Sequence, residues 1–131
     1  MILQYIKPDC DKRLLLKVLT HDTAEYCTGD IPYPVKKRLG SEFQSELQGM
    51  EEDWERDNGV YFNITPAEHK LLKIVDTLEG MWYCMKQLQL GHVNARRPFR
   101  AWVKVFNESY SDAPPLAIKL FDELQRKVNE L

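Results

Sequence analysis

The sequence has few cysteines, no long apolar run and almost no excess of charge of either sign. No stretch approaches the roughly 20 apolar residues that a membrane helix needs, and the N-terminus lacks the pattern of a signal peptide. The three cysteines share no C-x-x-C spacing, which indicates neither a disulfide framework nor a zinc knuckle and favours reduced thiols in the cytoplasm. A formal net charge of −2 gives no electrostatic reason to expect binding to a membrane or to a nucleic-acid polymer.

The length and the helix signals predict one all-α domain over residues 1–131. A chain of 131 residues is long enough to bury one core. Thr65, Pro66 and Glu68 give a strong helix start, with a side-chain cap, a proline in the first turn and a capping-box glutamate. Other caps and apolar stripes predict a helix that leads into the region of residue 20 and helices over about 35–56, 65–90, 96–108 and 114–131. The predicted fold is a bundle of about five helices.

A short stretch after the first predicted helix concentrates the polar side chains that can do chemistry. His21 and Asp22 are adjacent, and Glu25 follows them by four and three positions. On a helix this spacing places all three side chains on one face, so an imidazole and two carboxylates would share a small volume. The glycine before Asp30 ends that helix, because glycine accepts the backbone angles of a helix end. Asp30 is therefore predicted to be presented from a turn toward the same face.

Nine residues of this stretch match a known motif at fixed spacing: His21, Asp22, Glu25, Gly29, Asp30, Pro32, Pro34, Val35 and Lys36. The run resembles the core of the HD-domain phosphohydrolases, in particular the bacterial 5'-deoxynucleotidases and their short phage-type relatives. A lone His-Asp pair is common by chance, whereas nine specified residues are a specific signal. The resemblance implies an HD-domain helical bundle in which His21 and Asp22, a second aspartate downstream and a histidine from an earlier helix hold a divalent ion. It also implies that Glu25 and Asp30 are the catalytic residues.

Asp76 is the candidate for the second aspartate. It lies beside a predicted apolar stripe, where a carboxylate is costly unless something pairs with it. That stripe consists of Leu71, Leu72, Val75, Leu78, Trp82 and Met85. The run Lys73-x-x-Asp76-x-Leu78 resembles the second metal-ligand helix of the family, and the resemblance implies that Asp76 is a metal ligand. The alternative is a helix-surface aspartate paired with Lys73.

These donor types suit a hydrolytic metal site. Imidazole and carboxylate ligands suit cobalt, manganese, zinc or iron, and an ion with open positions can bind both a phosphate oxygen and a water. Glu25 is placed to take or give a proton, while Asp30 could orient the nucleophile or accept a sugar hydroxyl. The structural alternative makes Glu25 an ordinary salt-bridge partner and Asp30 a turn-former.

A small anionic substrate needs local positive charge, and two groups of basic residues could supply it. Lys36 and Lys37 stand at the end of the motif. Arg96, Arg97 and Arg100 form a cluster that could hold phosphate through paired guanidinium hydrogen bonds. Such clusters are more often solvated or paired with another subunit, so the two lysines are the better placed candidates.

One part of the family's pattern is missing. The family's first metal-ligating histidine belongs to a helix upstream of the His-Asp pair, together with an arginine that holds substrate phosphate, and no histidine precedes His21. The apolar run from Met1 to Ile6 has the character of the last turns of a buried helix, so we expect this N-terminal helix to be incomplete. Metal binding is then expected to be weak, because a neutral imidazole ligand is missing. A homo-oligomer is also expected, because the missing segment would leave apolar surface exposed.

Two functions follow from these observations. The first is a metal-dependent phosphohydrolase acting on deoxynucleotides, either a 5'-deoxynucleotidase that releases phosphate from a dNMP or a dNTP triphosphohydrolase. The alternative is a noncatalytic HD-fold module that binds a nucleotide or a protein and has lost part of the metal site. Retention of both Glu25 and Asp30 favours the enzyme, since a binding module has little need for both. The expected partner is a small nucleotide, and the sequence leaves its base and its number of phosphates open.

Overall fold

A computed structural model describes every residue from 1 to 131, and it contains helices and loops without a β-strand. The helices are α1 Ile2–Ile6, α2 Lys12–Thr20, α3 Glu25–Thr28, α4 Tyr33–Asp57, α5 Pro66–Gln89, α6 Arg96–Ser109 and α7 Pro115–Asn129, and a 3₁₀ turn at Val93–Ala95 precedes α6. No helix combines the length and the apolar character needed to cross a membrane. The predicted all-α class is confirmed.

The chain divides into two compact units. The first unit comprises Met1–Cys10 and Ile64–Leu131, which is α1 together with α5, α6 and α7. The second unit is Asp11–Asn63 and holds α2, α3 and α4. The single domain expected over residues 1–131 stays a prediction.

Helix α5 is the longest apolar element of the first unit, and its start is the one that the sequence predicts. Thr65 Oγ1 accepts a hydrogen bond from the Glu68 N–H at 3.1 Å, and Glu68 Oε1 accepts one from the Thr65 N–H at 3.0 Å. Its buried side chains are Ile74, Val75, Thr77, Leu78, Met81, Cys84, Met85 and Leu88. The buried residues of α5 recur with the helical period that the sequence predicts, but the buried face is rotated away from the predicted stripe. Apolar residues occupy more than one face of this helix, so their spacing alone does not show which face is buried. Trp82 is 40% exposed, and Leu71 and Leu72 are half-buried.

Helices α6 and α7 pack against α5 within the first unit. The rings of Phe106 and Phe121 stack with their centroids 4.1 Å apart and their planes 10° apart, which joins α6 to α7. Gly80 lets α6 approach α5 closely, since a Cβ at that position would stand 2.5 Å from the Trp102 ring. Val105 lies at the edge of this core and is 38% exposed.

Helix α1 completes the first unit. Leu3 and Ile6 are buried, and α1 contacts both α5 and α7. The helical character of this apolar run is confirmed for Ile2–Ile6, while Met1 precedes the helix and is 51% exposed. That this helix is incomplete stays a prediction. On α7 the apolar residues Leu120, Leu124 and Val128 are buried, whereas Leu116 is half-buried.

In the second unit, α2 begins at a side-chain cap and is tied to α4 by an ion pair. Asp11 Oδ1 accepts the Leu14 N–H at 2.8 Å, so Asp11 is the cap of α2. Lys17 Nζ on α2 lies 3.2 Å from Glu55 Oε2 on α4. The Glu55 side chain is 7% exposed, so this pair lies largely out of water.

Helix α4 is broken at Gly40, where the sequence predicts one continuous helix. Gly40 has φ +89° and ψ 175°, a conformation that non-glycine residues rarely adopt. The break lets Gln44 Nε2 donate to the Lys36 carbonyl at 3.1 Å, a pair eight residues apart that a straight helix would hold about 12 Å apart. The spacing of the apolar residues in this helix predicts one buried stripe. Its members are Leu39, Phe43, Leu47, Met50 and Trp54, and of these only Leu47 is buried, so the predicted stripe is mostly wrong.

Candidate functional site

The motif residues are carried by a tight turn between α2 and α3, not by one continuous helix. Helix α2 ends at Thr20, and α3 begins at Glu25. Between them the Thr23 N–H donates to the Thr20 carbonyl at 3.0 Å, and the Glu25 N–H donates to the Asp22 carbonyl at 3.1 Å. These bonds join residues three apart, and in such 3₁₀ geometry the side chains of those residues stand one above the other. The predicted helix through these positions is therefore wrong, although the turn still brings Asp22 and Glu25 to one side.

His21 is oriented by the last turn of α2. Its Nδ1 lies 2.6 Å from the Val18 carbonyl oxygen, and because a carbonyl only accepts, Nδ1 carries a proton. The lone pair of the neutral ring is then on Nε2, which lies 3.2 Å from Asp22 Oδ1. Two acceptor atoms at this separation are stabilised by a cation between them, which is either the proton of the imidazolium or a metal ion. A bond from one ring nitrogen to a backbone carbonyl is also the arrangement that orients metal-binding histidines.

Glu25 lies at the centre of a group of carboxylates in the second unit. Burial raises the pKa of its carboxyl above the usual value of 4.5, and the nearby negative charges of Asp22, Asp30 and Glu51 raise it further. The positive charge of Lys36 acts in the opposite direction. Glu25 is therefore easier to protonate than an exposed glutamate, which is the property of a group that holds a proton near its reaction partner.

Asp30 follows the end of α3 and is exposed. Gly29 has φ +77°, and its N–H donates to the Glu25 carbonyl at 2.7 Å, so the chain turns sharply there. This turn brings Asp30 near enough to Glu25 for its negative charge to raise the pKa of Glu25. Lys36 and Lys37 follow on the first turns of α4, and Lys36 is half-buried while Lys37 is exposed.

Glu51 is the member of this group that the sequence does not reveal. It belongs to the acidic run Glu51–Asp53, which has the pattern of a solvated helix face. In the structure α3 packs against α4, and the Thr28 hydroxyl donates to Glu51 Oε1 at 3.3 Å. The rings of Tyr26 and Trp54, with centroids 6.3 Å apart, form a second contact between these helices. Only this packing distinguishes Glu51 from its neighbours, and no local signal does.

The second unit supplies part of a metal site. His21 and Asp22 offer two donor atoms on one side, and both side chains are accessible, at 38% and 70% exposure. A catalytic metal site usually takes three protein donors. No group of three or more His, Cys, Asp or Glu side chains is arranged to hold an ion. The pair therefore fits a metal ion incompletely, and the role of Asp76 as the further ligand stays a prediction.

The remaining candidates lie in the first unit. Asp76 is exposed on α5. The pKa of the Tyr110 phenol is raised first by burial of the phenol and then by the negative charge of Asp76. The side chain of Thr77, the neighbour of Asp76 on α5, and the charge of Lys70 lower the pKa of the Tyr110 phenol. Arg96 and Arg97 are the first two residues of α6 and line a surface cavity. Their roles in binding substrate stay predictions.

Comparison with protein-family models gives no match, and comparisons with curated proteins and with solved structures give none either. The resemblance to HD-domain phosphohydrolases therefore rests on the motif residues themselves.

Proposed function

We propose that this chain is a metal-dependent phosphohydrolase of the HD type that acts on deoxynucleotides. The observation that carries the proposal is the arrangement of His21 and Asp22, with Nε2 of one and Oδ1 of the other 3.2 Å apart and Nδ1 anchored on the Val18 carbonyl. A divalent ion bound there would supply a water of lowered pKa and would neutralise charge on a phosphate oxygen. Cobalt, manganese, zinc and iron all suit the donor types.

Glu25 has the environment of a proton-holding group beside that pair. Its raised pKa, caused first by burial and then by Asp22 and Asp30, allows the carboxyl to exist in both protonation states nearer to neutral pH than an exposed glutamate does. In the proposed reaction Glu25 takes a proton from the attacking water or gives one to the leaving oxygen. Asp30 orients the water or accepts a hydroxyl of the sugar.

Lys36 is the proposed first contact for the substrate phosphate. Its charge acts on Glu25, which places the ammonium group near the carboxylates, and Lys37 adds a second cation on the same turn of α4. A substrate phosphate approaching this group would meet positive charge beside the metal-binding pair. Arg96 and Arg97 are the second proposed source of positive charge, and a homo-oligomer is part of the same proposal.

Metal analysis followed by a phosphate-release screen over all deoxynucleoside mono- and triphosphates tests this function. We expect weak metal binding by the wild-type chain when metal is added in excess, and loss of that binding in Asp22→Ala and in Asp76→Ala. We also expect release of phosphate or triphosphate from at least one deoxynucleotide. Asp53→Ala is the matched control, since Asp53 is an exposed acid on α4 paired with Arg56. A wild-type chain that takes up no metal and releases nothing would contradict the proposal.

Glu25→Ala separates the chemical role from the metal site. Positioned proton transfer contributes about 10² to 10⁴ in rate, so turnover should fall by that factor while metal content is kept. A loss smaller than about threefold would show that Glu25 has no part in proton transfer.

A noncatalytic module is the second candidate, and one observation favours it. The second unit leaves several large apolar side chains in solvent, with Leu19 at 67%, Tyr26 at 89% and Tyr33 at 70% exposure. Exposed apolar groups of this kind are typical of surfaces that bind a partner. Binding of a nucleotide or a protein without any turnover, in a chain fully loaded with metal, would favour this candidate over the enzyme.

A further inference from the structure

Three arginines surround a cavity in the first unit. The cavity has a volume of about 490 Å³ and is lined by Val93, Asn94, Arg96, Arg97 and Arg100. Small-molecule sites usually occupy about 300 to 1,000 Å³, so a nucleotide-sized ligand is within range. No acidic residue lines the cavity, and the three guanidinium groups give it a charge of +3.

No carboxylate neutralises these arginines, unlike several other cations of the chain. None of the three makes a hydrogen bond or an ion pair within the protein. By contrast, Arg126 Nη1 lies 2.6 Å from Glu130 Oε1, and Lys104, on the same helix as the cluster, lies 3.9 Å from Glu108 Oε1. An uncompensated cluster of like charges on adjacent turns is destabilising, so an anion in the cavity would relieve a repulsion that the protein leaves in place.

The local fold explains why the cluster faces solvent. The 3₁₀ turn leads directly into α6. Phe99, in the first turn of α6, is buried, so that face of the helix is turned toward the core. Arg96 and Arg100 are four residues apart and therefore share a face, and Arg97 is the neighbour of the first. The first turn of α6 contains no acidic residue, and no side chain caps the N-terminus of this helix. The positive end of the helix dipole thus adds to the potential of the arginines.

We propose that this cavity binds the polyphosphate group of a small anion, such as a nucleoside triphosphate or free tripolyphosphate. Guanidinium groups bind phosphate oxygens through two parallel hydrogen bonds, and three of them match a chain of linked phosphates better than a single one. The cavity is open to solvent, and the overall net charge of −2 favours a small ligand over a nucleic-acid polymer. The site lies within the first unit alone, so the inference does not depend on hydrolysis at His21 and Asp22.

Titration calorimetry on the full chain tests the site, with tripolyphosphate and dATP as probes. EDTA in the buffer removes divalent ions, which separates this binding from the proposed metal site. We expect one tripolyphosphate per chain and an affinity that falls with rising salt. Single Arg96→Gln and Arg100→Gln variants should bind roughly tenfold more weakly, because one hydrogen-bonded charge is lost, and the triple variant with Arg97→Gln should lose binding.

Lys104→Gln is the matched control. It removes the same charge from the same helix but at a residue that does not line the cavity, so binding should change by less than about twofold. Circular dichroism of each variant shows whether the helices remain formed. A triple variant that is folded and binds tripolyphosphate like the wild type would overturn the proposal, as would a wild-type chain that does not bind it.

Two further ligands test whether the cavity recognises phosphate rather than a base or a polymer. Deoxyadenosine, which has no phosphate, should not bind, and equal binding of deoxyadenosine and dATP would overturn the proposal in favour of a site for the base. A single-stranded oligonucleotide that binds while tripolyphosphate does not would overturn it in favour of a nucleic-acid surface. Failure of the proposed hydrolase shows itself elsewhere, in metal content and phosphate release, and leaves this titration unaffected.

Discussion

At the scale of single residues, the sequence predicts three of the four carboxylates that lie together in the second unit. Asp22, Glu25 and Asp30 are close in the chain, and a short turn brings them together whether or not it is helical. Glu51 is 26 positions beyond Glu25 and joins them only because α3 packs on α4. Tertiary contacts between helices have no local sequence signal, so this member of the group could not be predicted.

Glu25→Gln should stabilise the protein at neutral pH while it removes the proposed proton transfer. Because the pKa of Glu25 is higher in the folded state than its usual 4.5, folding favours the protonated form. The stability that this group contributes is present below pH 4.5 and is lost as the pH rises through the folded-state pKa. The uncharged amide avoids that loss, so the midpoint of thermal unfolding should rise at pH 7 and the gain should vanish below pH 4.5.

Glu46→Gln provides the comparison for this measurement. Glu46 is exposed on α4 and makes no ion pair, so its replacement should leave the unfolding midpoint nearly unchanged at both pH values. An equal effect of the two substitutions would mean that the charges around Glu25 do not repel. Gain of stability together with loss of turnover would instead mark Glu25 as a group retained for function.

Lys17→Met should destabilise the second unit strongly. It leaves the carboxylate of Glu55 without its partner at 7% exposure, and breaking a buried pair on one side costs about 3 to 5 kcal/mol. Urea unfolding followed by circular dichroism measures the loss. The double variant Lys17→Met with Glu55→Leu should recover most of it, since an apolar pair avoids the buried charge. A double variant as unstable as the single one would show that the packing of Lys17, not the charge of Glu55, is what matters.

At the scale of elements, helix boundaries are predictable where side chains or prolines mark them. Thr65 and Glu68 start α5 as the pattern predicts, and the predicted bounds of α6 and α7 differ from the observed ones by one or two residues. The break in α4 is different, because Gly40 stands in a run of good helix formers. An isolated glycine is tolerated in a helix at a cost of about 1 kcal/mol, so the sequence does not show whether it is helical or broken there.

Gly40→Ala should destabilise the chain and displace Lys36 from the carboxylate group. The φ of +89° is strained for a residue with a Cβ, at a cost of about 1 to 3 kcal/mol, even though the Cβ itself would meet nothing. Gly49→Ala in the same helix is the matched control, since Gly49 has no positive φ and space for a Cβ. That variant should gain about 0.5 to 1 kcal/mol. Opposite signs in urea unfolding confirm the break, and two gains of similar size would mean that α4 is straight.

At the scale of the whole molecule, the buried side chains are distributed unequally. In the second unit the buried residues are Leu14, Ala24, Leu47 and Glu55, while all other buried positions belong to the first unit. Apolar periodicity predicts the helices of both units, but it does not tell how far each apolar face is covered. Leu39 and Met50 lie on the predicted stripe of α4 and are nevertheless 54% and 55% exposed.

Hydrogen exchange should therefore proceed at different rates in the two units. Regions with few buried apolar side chains open at lower free energy than a packed core, so the amides of α2, α3 and α4 should exchange at least about tenfold faster than those of α5 and α7.

If His21 and Asp22 bind a divalent ion, Mn²⁺ should slow exchange at residues 20–30 and leave exchange in α7 unchanged, because a ligand stabilises the region to which it binds. Asp22→Ala should abolish that slowing, while Asp53→Ala should keep it. Uniform protection along the chain would contradict the unequal burial, and an Mn²⁺ effect that survives Asp22→Ala would place the ion elsewhere.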